Sequence, residues 1–275
     1  MADGPTFTKT RIAPTPSGYL HLGNALSFVT TVALAKKYGA KILLRIDDLD
    51  RERVQDVYVQ DIFDTLHFLG IMWDEGPKDL AEYKQHHSQL HRIDMYNQGL
   101  LQLADSGAVF VCTCSRAQVL AQNEDGIYMG TCKNKHLPFD TPDASWRLDT
   151  TAVKQLTVKT LADTVITTLP EDMQYFVVRK KDGFPAYQLT SLLDDVHYGI
   201  DLIVRGEDLW HSTLAQHYLA MVLGKNDFLN ATFHHHPLVK IAGEKLSKSA
   251  GATSIQYLRK EGRTSEEVMG MIVGL

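Results

Sequence analysis

Cysteine is scarce in this chain of 275 residues: there are three, and all fall within one stretch, "CTCSRAQVLAQNEDGIYMGTC", from Cys112 to Cys132. An odd number without a secretory leader argues against a disulfide framework and for metal binding or plain burial. The opening "MADGPTFTKTR" lacks the apolar core of a secretory signal. No apolar run approaches the roughly 18 residues needed to span a bilayer, so the expected location is the cytoplasm, with no membrane contact. In that setting the triplet Asn230-Ala231-Thr232 is not a glycosylation site. Positive charge is also in short supply. A net charge of −5 does not mark a nucleic-acid binder, although Arg179-Lys180-Lys181, the stretch from Lys240 to Lys248, and Arg259-Lys260 with Arg263 form local clusters. By charge alone these read as solvated surface. There is no internal repeat and no low-complexity segment.

Apolar material is plentiful, at 44% of residues, enough for the core of one large domain or of a domain carrying an insertion. "TKTRIA" (8–13) reads as a strand, followed by the turn-rich "PTPSGYLHLG". A buried helix is expected from Asn24 to Tyr38, stopped by Gly39 in the left-handed position after the helix. "KILLRIDD" suits a central parallel strand, and a second helix follows from about Val54 to Leu69. Strand, helix, strand, helix implies an α/β Rossmann-type doubly wound parallel sheet.

From about Trp73 to Tyr175 the pattern turns irregular, with a helix expected near His86 to Ser106 and "SWRLDT" alternating like an exposed strand. Regular order resumes with the strand "DLIVRG" and the helix "HSTLAQHYLAMVLG". The expected organisation is therefore a first half of the sheet domain at 1–74 and an inserted α+β subdomain at 75–175 that bears the cysteines. The second half follows at 176–243, and a loop with a short helical stem at 244–275.

Two motifs carry chemistry. "SGYLHLGN" (Ser17–Asn24) joins a strand to a helix, so backbone N–H groups at the helix start favour an anion. Gly18 and Gly23 permit close approach, and His21 can donate to a phosphate oxygen. "KLSKS" (Lys245–Ser249) offers two lysines in a loop of small residues, mobile point charges for a polyphosphate. Arg11 and Arg205 fall at the ends of two strands, at the carboxyl edge where such sheets bind ligands. Paired guanidinium groups suit a carboxylate better than an amide. His234-His235-His236 is a weak metal candidate, because successive strand residues point to opposite faces. His87 and His91 would share a helical face, and with no carboxylate at suitable spacing they suit a surface or interface role.

These segments, in this order, resemble the class I aminoacyl-tRNA synthetases. His21-Leu22-Gly23-Asn24 is similar to their HIGH motif and Lys245-Leu246-Ser247-Lys248-Ser249 to their KMSKS motif. "RIAPTPSGYLHLGNAL", "LLRIDDLD" and "YQLTSLLDD…LIVRGEDL" resemble the glutamyl and glutaminyl branch. The resemblance implies ATP binding, with Mg²⁺, by Pro14, Gly18, His21, Gly23, Asn24, Lys245 and Lys248, and catalysis by His21, Asn24, Lys245 and Lys248. It implies L-glutamate binding by Arg11, Ala13, Thr15, Asp47, Tyr187 and Arg205, with Asp47 on the α-amino group and Tyr187 on the side chain. Two departures stand out: Asn24 replaces the second histidine of HIGH, and Asp47 replaces the glutamate usual in bacterial glutamyl enzymes.

Tetrahedral zinc wants four ligands, and Cys112, Cys114 and Cys132 supply three. Chemistry alone prefers His136 as the fourth, since a phenol must lose a proton of pKa about 10. The C-x-C…Y-x-x-x-C arrangement resembles instead the zinc motif of the glutamyl-Q tRNA(Asp) synthetases, which implies Tyr128 and a structural ion. With Leu275 so soon after Ser249, an enzyme without the anticodon-binding domain of conventional glutamyl-tRNA synthetases is expected, again as in the glutamyl-Q enzymes. These place glutamate on queuosine in the anticodon loop of tRNA(Asp), and a monomer is expected. The alternatives are a catalytic piece of a conventional glutamate–tRNA ligase charging the 3′ end of tRNA(Glu), a nucleotidylyltransferase sharing the first motif, and a non-catalytic paralogue that binds ATP or an amino acid.

Overall fold

The computed structural model describes residues 5–122, 125–152, 155–238, 240–241, 244–245 and 254–273. Along the chain the strands are β1 (Lys9–Ile12), β2 (Lys41–Leu44), β3 (Val109–Cys112), β4 (Ser145–Leu148), β5 (Leu156–Thr160), β6 (Thr164–Thr167), β7 (Val177–Arg179), β8 (Leu202–Gly206), β9 (Thr232–His236), β10 (Lys240–Ile241) and β11 (Glu244–Lys245). The helices are α1 (Leu22–Tyr38), α2 (Asp56–Phe68), α3 (Leu80–Glu82), α4 (Ile93–Asp105), α5 (Arg116–Leu120), α6 (Tyr187–His197), α7 (Trp210–Val222), α8 (Asn226–Asn230), α9 (Ile255–Lys260) and α10 (Ser265–Val273). Among the described residues no helix is long and apolar enough to cross a membrane.

The chain forms two compact units: Met1–His91 with Ile200–Asp208 and Phe233–Leu275, and Arg92–Gly199 with Leu209–Thr232. The first is α/β and Rossmann-like. Its strands lie in the order β2-β1-β8-β9, with β1 parallel to both β2 and β8. Three consecutive buried residues in β2, Ile42 to Leu44, fit a strand covered on both faces. The expected longer strand "KILLRIDD" ends at Leu44, but its backbone keeps following β1, with Arg45 N–H donating to the Ile12 carbonyl and Asp47 N–H to that of Pro14. Beside β2 runs the segment around Gly76, at φ +100, where a Cβ would lie 2.1 Å from the Leu44 carbonyl oxygen. Only glycine fits there. Gly39 ends α1 in the left-handed conformation, as expected. The core gathers Ile12, Leu20, Leu22, Phe28, Leu44, Ile62, Phe63 and Leu66 with Ile255, Val268 and Ile272 of the last two helices.

The expected helix from His86 is replaced by a π-helical turn, Tyr83–His87, an extended Ser88 (ψ 143°) and a 3₁₀ turn, Gln89–Arg92, before α4. The cause is Asp48, a fully buried carboxylate that accepts from the Tyr83 and Ser88 hydroxyls, both at 2.6 Å, from Gln89 N–H at 2.7 Å, and from Arg51 at 2.8 Å. Converging on one acceptor breaks the regular helix. His87 and His91 accordingly share no α-helical face: His87 lies 3.7 Å from Glu82, and His91 Nε2 meets the Lys84 carbonyl at 2.9 Å.

The second unit holds the antiparallel sheet β3-β4-β7, the hairpin β5-β6, and the helices α4, α6, α7 and α8. "SWRLDT" is not an exposed strand: β4 is the central strand of its sheet, with Ser145, Trp146 and Leu148 buried. Its alternation leaves only Arg147 half-buried, packed over a ring. Between α4 and α6 the buried Asp194 accepts a bidentate pair from Arg92 at 2.8 and 3.1 Å and the Tyr96 hydroxyl at 2.7 Å.

Candidate functional site

The turn after β1 delivers His21 as the N-cap of α1. Its Nδ1 accepts from Gly23 N–H at 3.1 Å, while Asn24 Oδ1 accepts from His21 N–H at 3.0 Å, a reciprocal capping box. Asn24 thus has a local task at the position where it departs from the synthetase motif. A Cβ on Gly23 would lie 3.0 Å from the imidazole, so glycine is what lets the ring fold over the helix start. Burial pushes the pKa of His21 down, while Asp208 works in the other direction. A neutral ring that accepts at Nδ1 carries its proton on Nε2, a donor suited to a phosphate oxygen. The first turn of α1 has no acidic side chain, so its positive end is open to an anion.

Arg11 on β1 and Arg205 on β8 are both buried, on neighbouring parallel strands, and Arg11 donates to the Val204 carbonyl at 3.2 Å. Arg205 stands 5.7 Å above the Phe233 ring, which stacks with His235. Burial first, then the charge of Arg205, the neighbouring His234 and His236, and last the charge of Arg11 hold the pKa of His235 down to about 3. The two guanidinium groups act in the same direction as burial here, and their positive charge suits an anionic ligand. Asp47 is gripped by Arg45 at 2.7 and 3.1 Å. Pro14 is buried, Ala13 and Gly18 half-buried and Thr15 exposed, all on the stretch between β1 and α1. Tyr187 is the first residue of α6 in the second unit, 42% exposed. Lys245 lies on β11, which pairs antiparallel with β10. Lys248 is outside the described residues.

In the second unit the Sγ atoms of Cys112, Cys114 and Cys132 all lie within 4.8 Å of one another, Cys114 and Cys132 at 3.5 Å. Four sulfurs at about 2.3 Å from zinc would stand about 3.8 Å apart, so the thiols fit such an ion. The Tyr128 hydroxyl accepts from Cys132 N–H at 2.8 Å and is buried in the same cluster. Burial, with hydrogen bonds donated to neighbouring thiols, pushes Cys114 up to about 11. Cys132, against its burial, is brought down to about 7 by donors that begin with Thr113 N–H. The Arg147 guanidinium lies 3.9 Å from the centre of the Tyr128 ring. Among the described His, Cys, Asp and Glu residues the metal-capable group contains these thiols and no histidine. His136 instead lines an adjacent cavity of about 390 Å³ with Lys133 and Phe139. The triple histidine of β9 likewise forms no such group.

Sequence reasoning missed Asp48, Asp61 and His235. Asp48 is hidden beside Asp47, and nothing in the local pattern of α2 marks Asp61. His235 was dismissed with the metal question, although its strand alternation already set it apart from its neighbours.

The family model for the catalytic domain of class I tRNA synthetases (E and Q) matches residues 8–275. A glutamate–tRNA ligase of Anaeromyxobacter sp. (strain Fw109-5) is 34% identical over 278 residues, covering 97% of this chain and 57% of that protein. A glutamyl-Q tRNA(Asp) synthetase of Thiobacillus denitrificans is 34% identical over 250 residues, covering 89% of this chain and 79% of that protein. Among solved structures, a glutamate-tRNA synthetase from Elizabethkingia anophelis superposes with a TM-score of 0.77 at 21% identity, over 97% of this chain and 61% of that one. A methionyl-tRNA synthetase from Mycobacterium tuberculosis gives 0.59 at 13%, over 98% and 64%. At these identities the two structures speak for the fold. The chain spans 57% of the length of the Anaeromyxobacter ligase.

Proposed function

Because the chain belongs to the catalytic-domain family of class I tRNA synthetases of the glutamate and glutamine type, a family that uses ATP, we propose that it activates L-glutamate as glutamyl-adenylate and transfers the glutamyl group to queuosine at the wobble position of tRNA(Asp). The observation that carries the activation step is the pair Arg11 and Arg205, buried on adjacent strands with a neutral His235. A fixed pair of guanidinium groups matches the side-chain carboxylate of glutamate and favours the acid over the amide. In the proposed step an oxygen of the α-carboxylate attacks the α-phosphorus of ATP, the bond to the β-phosphate bridge breaks, and pyrophosphate leaves. His21 Nε2–H and the start of α1 bind phosphate oxygens, Asn24 keeps His21 in place, and Lys245 and Lys248 offset the charge that develops. Asp47 receives the α-amino group. Mg²⁺ would neutralise the phosphates.

The queuosine assignment rests on Tyr128 standing among three thiols and on the glutamyl-Q relative. Cys112, Cys114, Tyr128 and Cys132 would hold a structural zinc ion, which ties the loop together and leaves no position for water. A hydroxyl of queuosine then attacks the glutamyl carbonyl and AMP leaves. The second reading, a domain of a glutamate–tRNA ligase that charges tRNA(Glu), is favoured by the Anaeromyxobacter relative. Glutamylation of tRNA(Asp) with and without queuosine, beside tRNA(Glu), separates the two. Label confined to queuosine-containing tRNA(Asp) is expected; label on tRNA(Glu) alone favours the second reading.

A further inference from the structure

We propose that Asp61 and Arg259, with Ser27 and His236, are positioning residues for adenylate formation: they pin both flanks of the lysine-bearing segment to the turn and helix that carry His21 and Asn24. This rests on the reading of the chain as a glutamate-activating enzyme. The four residues lie outside the signatures, and all belong to the first unit.

The upstream flank is the end of β9. His236 is buried, and its Nδ1 lies 2.9 Å from the Pro237 carbonyl, which fixes the proton there. Its Nε2 is left to accept from the Ser27 hydroxyl on α1, at 2.5 Å. Ser27 stands on the helix capped by His21 and Asn24, so the last strand residue before the segment is tied to the helix of the histidine signature.

The downstream flank is Ser254, which caps α9 and bridges His21 in antiparallel fashion. Next to it, Ile255 N–H donates to the Leu20 carbonyl at 2.7 Å. Leu20 immediately precedes His21, and its own N–H donates to Asp61 on α2 at 3.1 Å. Asp61 is 2% exposed and also accepts from Arg259 on α9 at 2.6 Å. Both polar groups of the Leu20 backbone are thus engaged, one by α2 and one by α9, and the buried Asp61 joins those helices through Arg259, which also lies 3.7 Å from the more exposed Asp64 of α2. Leu20, Leu22 and Ile255 fill the same core, so the tie is directional where the packing is not.

A buried carboxylate at this place is a costly way to add stability, since well-packed apolar residues often serve as well. What it adds is geometry. In sequence Lys245 and Lys248 lie between Pro237 and Ser254, so the two ties set the points from which their segment leaves and to which it returns, relative to His21. Losing either tie should harm the reaction of ATP and spare the binding of glutamate.

The test is glutamate-dependent ATP–pyrophosphate exchange on the full chain, with glutamate affinity measured separately by calorimetry. Arg259→Ala and Asp61→Ala should each lower kcat at least tenfold and raise the KM for ATP, with the glutamate Kd within twofold of wild type. Arg259→Lys and Asp61→Asn should recover most of the loss, and the double alanine variant should be no worse than the poorer single one. Ser27→Ala tests the upstream tie without touching the buried carboxylate and should shift kcat in the same direction. Unchanged kcat in Arg259→Ala and Ser27→Ala, or a glutamate Kd that weakens in step with the KM for ATP, would overturn the proposal. A wild-type chain that exchanges no pyrophosphate sinks the reading beneath it instead.

Discussion

The core of the first unit and the cysteine stretch of the second hold their polar groups by different means. In the first, Asp47, Asp48 and Asp61 are each fixed by neighbouring donors: the nearby Arg45 for Asp47, four donors for Asp48, three of them on the distant stretch from Tyr83 to Gln89, and Leu20 with Arg259 for Asp61. In the second, the described residues of the cysteine stretch include five of α-helix, with a 3₁₀ turn just after Cys132, and the buried cluster there consists of Cys112, Tyr128 and Cys132. Where a core surrounds a polar group, neighbours can position it. A loop with three buried side chains needs a cross-link.

Breaking that cross-link is the largest expected effect. Purified protein should hold about one zinc ion per chain, and Cys132→Ala or a strong chelator should release it, set against the roughly 10–16 kcal/mol apparent for small structural zinc sites. Amide exchange should then accelerate between Cys112 and His136 while α1 and α2 stay protected. Equal acceleration in both units would erase the distinction. Tyr128→Phe should weaken zinc retention by more than the about 10–100-fold typical of losing an outer partner, and His136→Ala should leave it unchanged.

The same contrast explains what could be read in the sequence. The β1-α1-β2-α2 order was legible because periodicity, Gly39 and the continuous apolar run of β2 all act locally. Cys112, Cys114 and Cys132 were legible as a group because thiols are rare here and lie close in sequence. The path from Tyr83 to Arg92 was not, because its shape is dictated by Asp48, a residue dozens of positions upstream that looks like any other acid beside Asp47. β4 was misread since alternation reports one polar face, and Arg147 satisfies it by lying half-buried over the Tyr128 ring. Asp61 and Arg259 are nearly two hundred positions apart, and no local pattern announces such a pair.

A middle-sized effect sharpens the description of the first unit. His235 has a folded pKa of about 3 against an ordinary value of about 6.5. Between these limits the unfolded chain binds the extra proton and the folded one does not, so stability rises with pH across the window and is lost on acidification below about 6.5. The slope is at most about 1.4 kcal/mol per pH unit, reduced by whatever solvent reaches the ring. His235→Gln should flatten the dependence of the melting temperature between about pH 6.5 and pH 4 relative to wild type. Parallel curves would mean that the ring is not held neutral in the folded chain. Bound glutamate should flatten the wild-type dependence, since a carboxylate between the guanidinium groups relieves part of the field that keeps His235 neutral.

The smallest effect separates the two tasks of Asn24. As the reciprocal cap it accepts from His21 N–H, and Asn24→Ala removes that acceptor at a cost of about 1 kcal/mol, the usual value for a helix cap. Asn24→Asp keeps an oxygen in the same place and adds negative charge at the start of α1, worth about 0.3–1 kcal/mol of extra stability through the helix dipole. That added charge occupies the field proposed to receive a phosphate. If Asn24 serves the cap alone, the aspartate variant should melt higher and exchange pyrophosphate as wild type does. If the cap exists to present an anion site, it should melt higher and show a raised KM for ATP, while the alanine variant melts lower. Stability and ATP affinity moving in opposite directions in one variant is an outcome that no purely structural role of the turn produces.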